Sequence, residues 1–159
     1  MKKSKPQDQV QYHKDGSVWA RGQTVDGVGR QAMTAGAIDR LDELANADAW
    51  LVHRGRFLDV AFLVEVGDAP YLLRIHRGRI EAIDKGPRVM PRWTFALRAS
   101  PEAWAAFWQP VPPPGFHDLI AMLKVGALRL EGDQHPFMAN LRYFKDLLAL
   151  PRSTARSAA

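Results

Sequence analysis

From Thr34 to Ala47 the apolar residues Ala37, Ile38, Leu41, Leu44 and Ala45 recur every three or four positions between Asp39, Arg40, Asp42 and Glu43. That spacing predicts an amphipathic helix lying on a core. The period then falls to two. The stretches "RFLDVAFLVEV" (56–66) and "YLLRIHR" (71–77) are joined by "GDAP", and "RIEAID" (79–84) follows the tight turn Arg77-Gly78. These read as three strands, with "PRWTFALRAS" (91–100) as a fourth that places Trp93, Phe95 and Leu97 on one face. "WLVHRG" (50–55) is expected to add a pairing before them, and the short turns between strands predict an antiparallel meander.

The helical period returns at Ser100-Pro101-Glu102, a start signal of N-cap serine, proline at the first helical position and an acid in the first turn. The helix over 101–109 carries Trp104, Phe107 and Trp108 on one aromatic face, and the prolines at 110–114 stop it. A helix over 116–124, a strand over 127–133 ("ALRLEGD") and a helix over 136–150 complete the pattern. The last helix shows Phe137, Met138, Leu141, Phe144, Leu147 and Leu148 on one broad face, and Pro151 ends it.

Before the first helix, residues 1–9 are polar and read as a disordered tail. Residues 10–30 alternate β-prone runs with Asp15-Gly16 and Asp26-Gly27, which predicts an appended hairpin. The main domain is then expected over 31–151, with a second tail over 152–159. The formal charge is +5, from 22 Lys plus Arg against 17 Asp plus Glu, and much of the excess sits in "MKKSK" and "PRSTARSAA". A balanced middle argues against a nucleic-acid surface, which clusters its cations on one folded face, and leaves transient contact with an anionic membrane surface open. Hydrophobic residues at 47% suit an ordinary globular domain, no run approaches a membrane span, and no leader segment is evident. The cysteine count of zero removes disulfides, thiolate zinc sites and cysteine nucleophiles. A cytoplasmic protein, bacterial by its hairpin pattern, is expected.

The polar residues offer little catalytic chemistry. His13, His53, His76, His117 and His135 form no His-x-x-x-His pair, so no metal is expected. None of the five serines stands in a Gly-x-Ser-x-Gly elbow, and Ser100 is explained as an N-cap. "GVGR" at 27–30 falls short of a dinucleotide fingerprint, and no P-loop is present, so no cofactor is expected. Glu65, Glu81 and Glu131 alternate with apolar neighbours as solvent-facing strand positions do. Two similar basic turns, "HRGRF" (53–57) and "IHRGRIE" (75–81), read as solvated turns or as contacts for a lipid headgroup or acidic partner.

The order of helix, antiparallel strands, helix, apolar helix, strand and closing helix, with "LRASPEAWAAFW" and "HDLIAMLKVGALRLEGD", resembles the sterol carrier protein family. Gly126, Leu128, Leu130, Gly132 and Asp133 match that family's Gly-x-Leu-x-apolar-x-Gly-Asp form, with Ala127 where the family usually has lysine. The resemblance spans roughly residues 34–150 and leaves out the hairpin and the "PVPPPGF" turn. It implies an α+β fold: a twisted antiparallel sheet of about five strands, helices over one face, and an apolar cavity between them. It also implies non-catalytic binding or transfer of a lipid or other hydrophobic small molecule, without a cofactor.

On that reading Trp104, Phe107 and Trp108 form one wall of the cavity, and Phe116, Leu119, Ile120 and Leu123 form a second. Trp93 and Phe95 from the sheet, with Phe137, Met138, Leu141 and Phe144 from the last helix, complete the lining, and the prolines stand at its mouth. A competing reading makes the chain an interaction module that docks a partner enzyme through its hairpin and an exposed aromatic surface.

Overall fold

A computed structural model describes residues 34–86 and 92–153, together with Gly29. Residues 34–39 are helical and lead through Arg40 into α1 (Leu41–Ala47), as the apolar spacing predicts. The next element differs from expectation. Residues 50–55 form no strand but fall largely within a helix, α2 (Ala49–Arg54), because the Asp48 side chain accepts from the backbone N–H groups of Trp50 and Leu51. An aspartate cap at the entry satisfies donors that a strand would have had to pair elsewhere.

Five strands follow the pattern closely: β1 (Asp59–Val66), β2 (Ala69–His76), β3 (Arg79–Lys85), β4 (Phe95–Ala99) and β5 (Leu128–Gly132). They form one sheet in the order β3-β2-β1-β4-β5. Three pairings are antiparallel, as expected, but β4 lies on the far side of β1 and runs parallel to it, so the sheet is mixed. The β2–β3 hairpin is part of the crossover that a parallel pair needs. Its turn has positive φ at both Arg77 (48°) and Gly78 (77°), the geometry that matches the twist of a two-residue hairpin.

Alternation sorts the two faces of the sheet. Val60, Phe62, Val64 and Val66 of β1 pair laterally with Ile75, Leu73, Tyr71 and Ala69 of β2, and Phe62 and Val64 meet Phe95 and Leu97 of β4. This face carries the core, covered by α1, α2, α3 (Pro101–Phe107), α4 (Leu119–Lys124), α5 (His135–Ala139) and α6 (Leu141–Ala149). The single last helix expected over 136–150 is thus two, broken at Asn140. The other face presents Glu65, Arg98, Arg129 and Glu131, with Arg74 paired to Asp84 at 2.9 Å.

Candidate functional site

The aromatic residues expected to line a cavity come together, and they touch one another. Phe62 stacks on Phe95 with centroids 5.2 Å apart, and Phe144 meets both edge-on at 5.3 and 5.2 Å. Phe137 closes on Phe144 at 5.6 Å, and all four rings are fully buried. In α3, Trp104 stacks on Trp108 at 5.1 Å while Phe107 meets Trp104 edge-on. Both indoles are tethered: Trp104 Nε1 donates to the Glu65 carbonyl at 2.9 Å, and Trp108 Nε1 to the Leu148 carbonyl at 2.7 Å. Buried indoles need such partners. α3 is thereby bolted to the sheet on one side and to α6 on the other.

The proline segment that follows is strapped by a single side chain. Arg152 Nε donates to the Phe107 carbonyl at 2.6 Å, and its NH2 group reaches the carbonyls of Phe116 and His117 at 3.4 and 3.2 Å. The guanidinium also lies 4.1 Å over the Phe107 ring. Burial lowers the Arg152 pKa from its ordinary value, partly offset by Asp118. Arg152 falls in the stretch expected to be a tail, yet it ties the two ends of the proline turn together. Asp118 then caps α4 by accepting from the Ile120 N–H at 2.7 Å, and it pairs with Lys145 of α6. Burial pushes the Asp118 carboxyl up, but the hydrogen bonds from Lys145 and Ile120 and the nearby positive charge outweigh it and leave its pKa lowered. Between these groups a shallow polar pocket of about 220 Å³ opens, with Arg142, Lys145, Asp118 and Asp146 on its walls.

A larger space lies at the other edge of α3. An open groove of about 610 Å³ runs between the ends of β1 and β4, the start of α3 and the entry to β5. Its apolar lining is Ala99, Ala103, Phe116 and Ala127, with Gly67 and Gly126. Small side chains leave this space where the neighbouring core is filled with rings. Its polar lining is Glu65, Asp68, Arg98, Ser100, Glu102 and Arg129. Ser100 is committed to the helix, accepting from the Ala103 N–H at 3.1 Å, as its place in the sequence predicts. Arg98 bridges Glu65 of β1 and Glu131 of β5, the latter at 2.9 Å, and Arg129 reaches Glu131 at 3.0 Å. The result is an alanine-walled slot beside a ladder of alternating charge across three strands.

No protein-family model matches the sequence, and no curated protein matches it. Solved structures do. The crystal structure of sterol carrier protein 2 superposes with a TM-score of 0.60 at 12% identity, covering 74% of this chain and 94% of that one. A solution structure from Thermus thermophilus, described as possibly a sterol carrier protein, gives a TM-score of 0.53 at 13% identity, covering 76% and 87%. This chain has the sterol carrier protein fold.

Within the sterol carrier fold the expected lining residues divide into three groups. Phe95, Trp104, Phe107, Leu119, Phe137 and Phe144 are fully buried, and Trp108 nearly so. Trp93, Phe116, Ile120, Leu123 and Leu141 are half-buried, and of these Phe116 lines the groove. Met138 is 50% exposed and stands away from the core, because it lies about a third of a turn off the face that Phe137 and Phe144 share. Met122, fully buried on α4, is missing from the expected lining, because the helical face reads equally well through Leu123, one position away. The groove alanines carry no signal, since alanine marks a helix or strand position without saying what its small volume leaves open. The hairpin over 10–30 and both tails, apart from Gly29 and residues up to Ser153, lie outside the described residues. Among the described residues no helix is long and apolar enough to cross a membrane, and no cluster of three metal-ligating side chains occurs.

Proposed function

We propose that this protein binds a lipid or another hydrophobic small molecule without catalysing its conversion, and that the groove beside Phe116 is where the ligand enters and seats. The observation that carries this reading is the groove itself. Its volume of about 610 Å³ falls in the range of small-molecule sites, roughly 300 to 1,000 Å³. Alanines and a phenylalanine serve an apolar chain, and the charges of Glu65, Asp68, Arg98, Glu102 and Arg129 serve a polar head. The likeness in fold to sterol carrier protein 2 supports the same reading.

The half-buried Ile120 and Leu123 of α4 belong with Phe116 as apolar side chains that have surface left to cover. The buried rings of α3, α6 and the sheet form the wall behind them, and a ligand that reached that wall would have to part contacts already made. Such contacts favour a ligand whose tail lies along the groove over one driven deep into the interior. An interaction module docking through the face of Trp104, Phe107 and Trp108 fits less well, because those rings are buried.

Native mass spectrometry of the purified protein, followed by displacement of a fluorescent fatty acid by several lipid classes, tests the reading. Saturable, competable binding at a stoichiometry of one supports it. Its absence across fatty acids, sterols and phospholipids contradicts it.

A further inference from the structure

Two basic turns that are far apart in the sequence meet in the fold. Gly55, inside "HRGRF", packs so closely against Gly78, inside "HRGRI", that a Cβ added to Gly55 would lie 2.7 Å from the Gly78 Cα. The Gly78 N–H donates to the Leu58 carbonyl at 3.4 Å, and the Arg77 N–H to an Asp59 carboxylate oxygen at 3.0 Å. The contact sets Arg54 and Arg56 beside Arg77 and Arg79. Among the described residues the carboxylates in contact with this cluster are Asp146, which pairs with both Arg54 and Arg142, and Asp59, which pairs with His76 at 2.7 Å. Arg56, Arg77 and Arg79 make no ion pair among the described residues: Arg56 and Arg79 rest on backbone carbonyls.

The same surface holds two of the most exposed large apolar side chains among the described residues, Trp50 at 80% and Phe57 at 85%. Trp50, His53, Arg54 and Phe57 follow a spacing of three, four and seven positions, and hydrogen bonds from Gly55 to Leu51 and from Arg56 to His53 carry the helical winding past α2. All four are exposed to solvent. The Arg56 guanidinium lies 4.5 Å over the Phe57 ring, so cation and aromatic ring are presented together. Arg77 holds a left-handed backbone conformation in which asparagine or glycine would sit with less strain. Nothing in the core asks for arginine there.

We infer that this face docks onto an anionic lipid bilayer, with Trp50 and Phe57 entering the headgroup boundary and Arg56, Arg77 and Arg79 meeting the lipid phosphates. Amphipathic aromatics settle at that boundary, and each arginine near a negative surface strengthens binding roughly fivefold. Arginines with no ion pair among the described residues supply the complementary charge. Two bulky, exposed apolar side chains beside them favour a deformable bilayer over the ordered edges of a nucleic acid. The inference stands apart from the ligand reading, since the groove lies at the other end of β1, about 23 Å away along an eight-residue strand. Docking by this face leaves the groove open.

Flotation of the full-length protein with vesicles of phosphatidylcholine plus phosphatidylglycerol, against phosphatidylcholine alone, tests it. Binding to the anionic vesicles only is expected. It should fall at least about tenfold in Trp50→Ala/Phe57→Ala, and more than about a hundredfold in Arg56→Glu/Arg77→Glu/Arg79→Glu, with thermal unfolding confirming that both variants fold. Binding that survives the aromatic substitutions would assign it to the basic tails and overturn the inference. So would equal binding to neutral vesicles, or arginine-dependent binding to single-stranded RNA tighter than to the vesicles.

Discussion

The Tyr143 hydroxyl donates a 2.9 Å hydrogen bond to the Gly78 carbonyl, joining α6 to the tip of the β2–β3 hairpin across 65 residues of chain. Both groups are buried, and burial raises the Tyr143 pKa well above the ordinary tyrosine range. Tyr143→Phe should cost about 1 to 3 kcal/mol, because the Gly78 carbonyl is left without its partner. Since the folded pKa is the higher one, the tyrosine's contribution is intact below the ordinary tyrosine pKa of about 10 and is lost as pH rises beyond it. Urea unfolding of the two proteins at neutral and strongly alkaline pH should show the gap between them shrinking at the higher pH.

Two glycines with left-handed backbone separate strain from crowding. A Cβ on Gly78 (φ +77°) would lie 2.5 Å from the Val52 carbonyl oxygen, whereas one on Gly126 (φ +74°) would meet nothing within 4 Å. Gly126→Ala should cost about 1 kcal/mol from the backbone alone. Gly78→Ala adds a clash with main chain that cannot rotate away, and should cost more than about 3 kcal/mol. Equal effects of the two in chemical denaturation would contradict this account of the hairpin contact.

Phe144 is the hub of the ring cluster, in contact with Phe62, Phe95, Phe137 and Tyr143. Phe144→Ala should destabilise the protein by about 3 to 5 kcal/mol through the lost transfer energy and the space left behind. A loss below about 1 kcal/mol would mean that the rings are not packed as described.

Asp118 serves two elements at once, capping α4 and pairing with Lys145 of α6. Asp118→Asn keeps a capping oxygen but loses the charge, so it should cost about 1 kcal/mol or less at neutral pH, while Asp118→Ala should cost about 1 to 2 kcal/mol. The folded carboxyl titrates below its ordinary range, so the charge-dependent part is present above that range and disappears as pH falls through the lowered value. Thermal unfolding of wild type and Asp118→Asn should therefore converge in acid.

Much of this fold is legible in the residues because period and punctuation agree. Phe62, Val64 and Val66 alternate inward as period two requires, Ser100 caps α3 as read, and Trp104, Phe107 and Trp108 share the buried side of one helix. Helix α2 escapes that reading because "WLVHRG" is short and opens on three apolar residues, a run that fits a strand until Asp48 is recognised as its cap. The parallel β1–β4 pairing is a fact of topology that short turns do not announce. For the site, the large apolar residues are easy to see and are mostly core. The groove depends on where Ala99, Ala103 and Ala127 converge, and small side chains separated in sequence give no local sign of the space they leave together.

Titration of a fluorescent fatty acid into wild type, Ala127→Trp and Phe116→Ala tests the central claim most directly. Wild type should bind saturably at one site. Filling the groove in Ala127→Trp should weaken binding at least about tenfold, and Phe116→Ala should weaken it by a similar factor through lost apolar contact, with unfolding midpoints confirming folded protein. Equal affinity in all three, or no saturable binding by wild type, would contradict the account.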